Sequence, residues 1–337
     1  MKTYLPYSLI LAAAASGMAS GAETAYTTPV GYVSLGDTTT GQPAVKAKTD
    51  VLVSIPMDRS ATFRGVSSSI VGNTINFLSP AFGSFTATPY VFKIESGTKS
   101  GLIALISSNT ASSVTVILPS GESLAGVTGA DQISIRPAWT LQSALGATLP
   151  AGTQVLAYSG SAAGINLGAD LIYEFDGTNW LDGFTFGIAD NVVLFPGESF
   201  IVRNNSTSPI ASLVLTGEVP MSRSRNIVSN LALGTGQDNF ITYISPVAEA
   251  IGASSLGLIS TPGDQVFEFD NGLAGINKSA SSIVEWDGTN WLDGFTFNIV
   301  DTTFKFQSGK GYIVRRAATA PGGDTTWSDQ TTYFPSL

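Results

Sequence analysis

The stretch "DGTNWLDGFTF" occurs twice in this chain, letter for letter, at residues 176–186 and 287–297. Asp176 and Asp287 are 111 residues apart, and the same offset relates Gly146 to Gly257, Gly152 to Gly263, Val155 to Val266 and "AGIN" at 163–166 to "AGIN" at 274–277. Further on, "FPGESFIVR" (195–203) matches "FQSGKGYIVR" (306–315) with one residue inserted, so Arg203 and Arg315 are 112 apart. Upstream, "DQISIRP" (131–137) is paired more loosely with "DNFITYISP" (238–246). Agreement at one offset over so long a span indicates duplication. Two long copies do not make an ordinary solenoid, so they are read as tandem units.

The quoted stretch has the signals of a β-hairpin. "LIYEF" precedes Asp176-Gly177, a pair that tolerates positive φ, and "TNWLD" follows. A two-residue loop would set Phe175 against Thr178, Glu174 against Asn179, Tyr173 against Trp180 and Ile172 against Leu181. In the second copy Val284 would face Trp291. Trp180 and Trp291 then read as core anchors, with Phe184 and Phe186 alternating around Thr185 on the same buried face. A second reading makes Trp180 and Trp291 exposed platforms for sugar rings, with Asp176, Asp287, Asn179 and Asn290 as hydroxyl partners. A third gathers Glu174 and Asp182, or Glu285 and Asp293, around Ca²⁺. Their spacing lacks the alternating carboxylates of a calcium loop.

Composition narrows the function. The chain has neither Cys nor His, which excludes Cys/His zinc sites, Ser-His-Asp triads, Cys nucleophiles, imidazole proton shuttles and disulfides. Its opening, "MKTYLPYSLILAAAASGMASGAETA", has the layout of an export signal: Lys2, an apolar run over about 5–15, and Ser20 and Ala22 at the small-residue cleavage positions. Cleavage near Ala22 would leave 15 basic and 25 acidic side chains, a balance that disfavours nucleic acid. No later stretch has the length and apolarity of a membrane-spanning helix. A secreted, periplasmic or cell-surface location is expected. Charged residues are only 12% of the chain and hydrophobics 43%, a profile of an extracellular β protein rather than a disordered one.

The expected organisation is a signal peptide over 1–22, a small β-barrel or sandwich over 23–130, and two repeat units over 131–222 and 223–337. Strand signals are short, β-branched or aromatic, and bounded by Gly, Asn, Asp or Pro. In "YVFKIE", Tyr90, Phe92 and Ile94 would face a core while Val91, Lys93 and Glu95 face water. Gly72-Asn73 reads as a tight Gly-first turn. Helix is scarce: a turn or two after Thr140, and another capped by Ser245 with Pro246 at its first position. "SGTK" at 96–99 matches the S-x-x-K of acyl-enzymes, but it lies in a Gly-rich turn without companion motifs.

"TTPVGYVSL", "YVFKIESGTKSGLIALISSNT", "DQISIRPAWTL" and the "PG-x-x-[FY]-I-V-R" ending carry a resemblance. The chain resembles a large paralogous family of exported β-rich proteins from Verrucomicrobia, to which no activity is assigned. The resemblance implies an envelope or secreted location and transfers no catalytic residue. The expectation is an all-β, non-enzymatic, structural or adhesive protein of the envelope or extracellular matrix. It would work by self-association or by contact with other envelope proteins. Glycan binding through Trp180 and Trp291 is the alternative, and a carboxylate-dependent glycan-active enzyme the third. No cofactor is required by any residue pattern, Ca²⁺ being the one ion considered.

Overall fold

The computed structural model describes residues 28–35, 42–80, 82–85, 87–146, 149–231 and 233–330. The expected signal peptide, 1–22, lies outside them. The fold is all-β. Helix is confined to Leu141–Leu145, Leu256–Ile259 and a 3-10 turn at Ile251–Ala253. The short helix expected after Thr140 is present, and Thr140 caps it through a reciprocal pair of bonds with Ser143. The helix expected to start at Ser245 does not form. Glu249–Ala250 is instead a short strand paired with Lys305–Phe306, because a two-residue ladder there closes the core over Phe306.

Two five-stranded antiparallel sheets have the same construction. One runs Trp180–Asp182, Leu171–Phe175, Gln154–Ala157, Ser199–Asn204, Thr49–Ser54. The other runs Trp291–Asp293, Ser282–Trp286, Gln265–Glu268, Tyr312–Arg316, Gln237–Ile241. Their registers agree: Gln154 faces Glu174 and Arg203, while Gln265 faces Glu285 and Arg315. Each sheet is accompanied by a two-stranded ribbon, Val30–Leu35 with Leu213–Glu218 and Ser224–Asn230 with Gly323–Asp329. The apolar side chains of each set form a separate core, one around Trp180 and one around Trp291.

This pairing redraws the expected domain boundaries. The first unit already begins at Val30, and the counterpart of "DNFITYISP" is "DVLVSIP" (50–56), whose strand lies against Ser199–Asn204. "DQISIRP" belongs elsewhere. Its strand Gln132–Pro137 sits between Phe63–Val66 and Tyr90–Ile94 in a seven-stranded sheet built wholly from residues 63–137. That sheet is therefore inserted into a connection of the first unit, not placed ahead of it. "DQISIRP" and "DVLVSIP" both alternate apolar residues, and alternation identifies a strand without identifying its partner. Within the inserted sheet the expected tight turn is present: Val71 pairs with Thr74 across Gly72-Asn73, with Gly72 at φ 59°.

Around Tyr90–Ile94 the inserted sheet is covered on both faces, so the expected wet face of "YVFKIE" is not wet. Phe92 and Ile94 enter the core of the inserted domain, whereas Val91 packs with Ile103 and Ala138 against Val193 and Phe195 of the first unit. Lys93 is 2% exposed and its Nζ is 2.5 Å from Asp58 Oδ2. Arg136, equally buried, bonds Glu95 and reaches Glu218 Oε2 at 3.1 Å. Burial opposes the charge on Asp58, but Lys93 and Arg136 overcome it and hold the carboxyl below its usual range. The network's contribution is thus complete above the usual carboxylate range and is lost as pH falls through the lowered value. Arg136→Met removes the buried cation from Asp58, Glu95 and Glu218, and leaves the last two to Arg64, which is half-exposed. It should cost about 3–5 kcal/mol in urea unfolding at neutral pH, and less in acid.

The two units meet through a reciprocal clasp. Asp50 takes Arg203 in a two-pronged pair, Nε–Oδ1 and Nη2–Oδ2 both 2.8 Å, and also accepts the Asn277 N–H at 2.8 Å. Asp238 takes Arg315 in the same way, at 2.6 and 2.9 Å, and accepts the Asn166 N–H at 2.7 Å. The "AGIN" loop of each unit thus docks on the Asp–Arg pair of the other. Arg203 also donates to Asn277 Oδ1 and Arg315 to Asn166 Oδ1. Asn166 and Asn277 sit at φ 54° and 55°, a left-handed conformation that asparagine adopts more readily than most residues. Asp50→Ala and Asp238→Ala should each cost about 1.5–3 kcal/mol, by similar amounts, and the double variant less than their sum in a denaturant titration.

Candidate functional site

The twice-written stretch forms two identical turns around one buried ring. Asp176 Oδ1 accepts the N–H groups of Thr178 and Asn179 at 2.7 and 2.8 Å, and Asp176 N–H donates to the Asn179 carbonyl at 3.0 Å. Six residues later Asp182 Oδ1 accepts from Phe184 N–H, Thr185 N–H and Thr185 Oγ1 at 3.0, 2.7 and 2.9 Å. Asp287 and Asp293 repeat both patterns. These backbone hydrogen bonds hold all four carboxyls below the usual range.

Because the first turn takes four residues, the register differs from the two-residue expectation. Phe175 faces Trp180, Glu174 faces Leu181 and Tyr173 faces Asp182; in the second copy Trp286 faces Trp291. Capping by Asp176 makes the longer turn self-sufficient, which a two-residue Asp-Gly loop cannot use.

The expected site residues are therefore placed as follows. Trp180 and Trp291 are 0% and 1% exposed, so neither ring offers a face to a sugar. Each packs against its cross-strand aromatic, Phe175 or Trp286, at 5.4 and 5.2 Å between centroids. Asp190 and Asp301 fix their backbone N–H groups at 2.7 Å. Asn179 and Asn290 contribute main-chain groups to the turns. Glu174 and Glu285 are held by Gln154 and Gln265 across the sheet, at 2.9 and 2.8 Å, away from the turn carboxylates. Among the described residues, no three acidic side chains gather where a metal ion would sit. In the "SGTK" turn, Ser96 Oγ accepts from the Gln132 N–H and Lys99 pairs with Glu122, so the two side chains serve different neighbours.

What sequence reading missed is the second half of the motif. Phe184 and Phe186 do not line the core: they are 64% and 75% exposed, and Ile188 is 74% exposed. Phe295, Phe297 and Ile299 repeat this at 68%, 72% and 61%. The strand stops at Asp182, and the chain turns back on itself, closed by Phe186 N–H on the Asp182 carbonyl, so that Ile188 bridges Leu181. A signal was present, since "DGFT" has the same Asp-Gly spacing as "DGTN" and reads as a second turn. Phe186 and Phe297 both lie at φ 59°, a strained conformation for a bulky residue. Three features that a fold ordinarily avoids thus coincide twice: exposed aromatics, an exposed isoleucine and positive φ. Each loop is at the edge strand opposite the strand that meets the other unit.

No protein-family model, curated protein or solved structure matches the chain.

Trp180→Ala should lower stability by about 3–5 kcal/mol, as expected of an aromatic removed from a full core. Phe186→Gly should raise it by about 0.5–1 kcal/mol, since relief of the left-handed strain exceeds the entropy glycine adds to the unfolded chain. Thermal unfolding of the two variants checks both signs.

Proposed function

We propose that the protein is exported and acts without catalysis, as a structural or adhesive component of the cell envelope or extracellular matrix that associates with further copies of itself. The observation that carries this reading is the pair of apolar loops, Phe184–Phe186–Ile188 and Phe295–Phe297–Ile299. Burying exposed apolar surface is the main driving force of association, at about 25 cal/mol per Å². An exposed aromatic patch repeated in one chain marks a contact surface rather than a folding requirement. Two such loops at opposite sheet edges make the chain bivalent, and bivalent copies extend into chains or layers.

Other features agree with this. The leader-like opening, the resemblance to exported β-rich proteins and the low charge all suit a protein working outside the cytoplasm. Among the described residues, no helix is long and apolar enough to cross a membrane. The internal correspondence is read as a tandem duplication, which supplies bivalence directly. The glycan reading that relied on Trp180 and Trp291 loses its platforms to the core. The carboxylates of the repeated stretch are engaged in turns and held in the charged form, which suits capping and not proton donation.

Sedimentation velocity of the chain without its leader, over rising concentration, tests the reading. The wild type should form species larger than monomer, and Phe184→Ser/Phe186→Ser should stop growth at pairs. Serine at all four phenylalanines should leave monomers with an unchanged far-UV spectrum. Wild-type monomers at high concentration would overturn it.

A further inference from the structure

The correspondence between the units fails at one place. In the second unit Lys310 Nζ is 2.6 Å from Glu268 Oε1, and Asn271 bonds both the N–H and the carbonyl of Leu52, at 3.0 and 2.9 Å. These contacts close the seam on that side. Strand register makes Glu198 the counterpart of Lys310, Ala157 of Glu268, and Phe240 of Leu52. The repeat offset makes Gly160 the counterpart of Asn271. In the first unit, then, the two side chains that would reach across are Ala and Gly, and the cation is replaced by a carboxylate.

A cleft of about 460 Å³ occupies this side, within the usual range for ligand sites. It lies where three parts of the fold converge. Leu105 and Ile117 come from the inserted sheet, Gly160 and Glu198 from the first unit, Ile227 and Phe240 from the second. Tyr158 stacks on Phe240 with centroids 3.4 Å apart and forms part of the wall.

Two groups in the cleft call for a partner. The first is Glu198, which has no basic side chain in ion-pair range among the described residues. Arg225, which also lines the cleft, is taken by Glu122, and Asp238 by Arg315. Glu198 is solvent-exposed on the cleft, so an incoming cation can reach its carboxylate directly. The second is the backbone edge at Phe240. The N–H groups of Asp238 and Thr242 point across the seam, to the carbonyls of Gly164 and Gly197, both at 2.9 Å. Strand alternation aims the N–H of Phe240 the same way, where Gly160 offers no side chain, while the Phe240 carbonyl already takes the Ser199 N–H in the Glu198–Ile241 bridge and keeps its second lone pair. At the equivalent place the Asn271 amide accepts the Leu52 N–H and donates to the Leu52 carbonyl, which also takes the Gly311 N–H at 3.1 Å.

We propose that this cleft binds a short extended peptide carrying a primary ammonium group. The ammonium pairs with Glu198, one peptide amide bonds the Phe240 edge as the Asn271 amide bonds Leu52, and the apolar part rests on Leu105, Ile117 and Ile227. The ligand thus replaces the amide of Asn271 and supplies the cation that Glu198 lacks. Adding a backbone to an exposed edge, with a pocket for one side chain, is a recurrent mode of peptide capture. This inference is independent of the apolar loops, which lie at the far edges of both sheets.

Calorimetric titration of the chain without its leader tests it, using acetyl-Leu-Lys-Leu-amide against the same peptide with norleucine for lysine. The lysine peptide should bind, and the norleucine peptide should bind at least about tenfold more weakly. Glu198→Gln should show a similar loss. Gly160→Asn, whose Cβ meets nothing within 4 Å and whose φ of 67° asparagine tolerates better than most residues, should block binding at a small cost in melting temperature and with an unchanged far-UV spectrum. Ala157→Glu/Glu198→Lys, which installs the ion pair of the second unit, should do the same. Equal binding of both peptides, no saturable binding at millimolar peptide, or undiminished binding by the Gly160→Asn variant would overturn the proposal.

Discussion

The reciprocal clasp of Asp50–Arg203 on Asn277 and Asp238–Arg315 on Asn166 is the constraint on which the rest of the molecule depends. Each pair is a planar guanidinium gripping a carboxylate, a geometry with little freedom in distance or tilt. A loop from the opposite unit completes it, so neither site is whole within one copy. The backbone bonds around it are also reciprocal: Asp50 N–H to the Gly275 carbonyl, Asp238 N–H to the Gly164 carbonyl. The two halves therefore relate to one another as the subunits of a twofold dimer do, with one patch facing its own likeness. A chain without disulfides gains in this way a large internal interface, and the cost of bringing two partners together is replaced by a covalent link.

The inserted seven-stranded sheet breaks that symmetry. It interrupts the first unit after Thr49–Ser54 and seats against it through the buried charges of Asp58, Lys93, Arg136 and Glu218. Buried charges are poor sources of net stability, but they penalise any misplacement severely, so they fix where the insert sits. Its strand Ile103–Asn109 and the residues after Ile117 then form one wall of the cleft beside Glu198. The second unit has no such insert, and there the seam is shut by Lys310–Glu268 and Asn271. An interface between two like-built halves thus holds one closed side and one open side.

Most of the repeated hairpin was legible in the sequence. Its two Asp-Gly steps announced turns, and its Trp at strand spacing announced a core anchor. Gly183 shows why identity extends so far: a Cβ there would lie 3.0 Å from Ile172 Cγ2 and from the Ile172 carbonyl oxygen. The Thr185 hydroxyl, which at first has no evident task, holds Asp182 at 2.9 Å. Phe184 and Phe186 were misread because alternation was carried past the end of the strand. Periodicity has meaning only while the strand continues, and it stops at Asp182. The cleft was not legible at all, since it depends on Ala157, Gly160 and Glu198 being compared with partners that only strand register identifies.

By itself, the sequence determined the all-β class, the internal correspondence, the positions of most strands and turns, and the chemistries that the absence of Cys and His rules out. These follow from local causes: side-chain alternation, φ preferences and which atoms are present. Tertiary structure alone decided that Thr49–Ser54 belongs to the first unit, that Lys93 is buried, and that Phe184, Phe186, Phe295 and Phe297 lie outside. Each of those outcomes depends on what a strand pairs with or what covers its second face. A strand's own residues specify that it will be a strand; the partner is chosen by the whole chain folding at once.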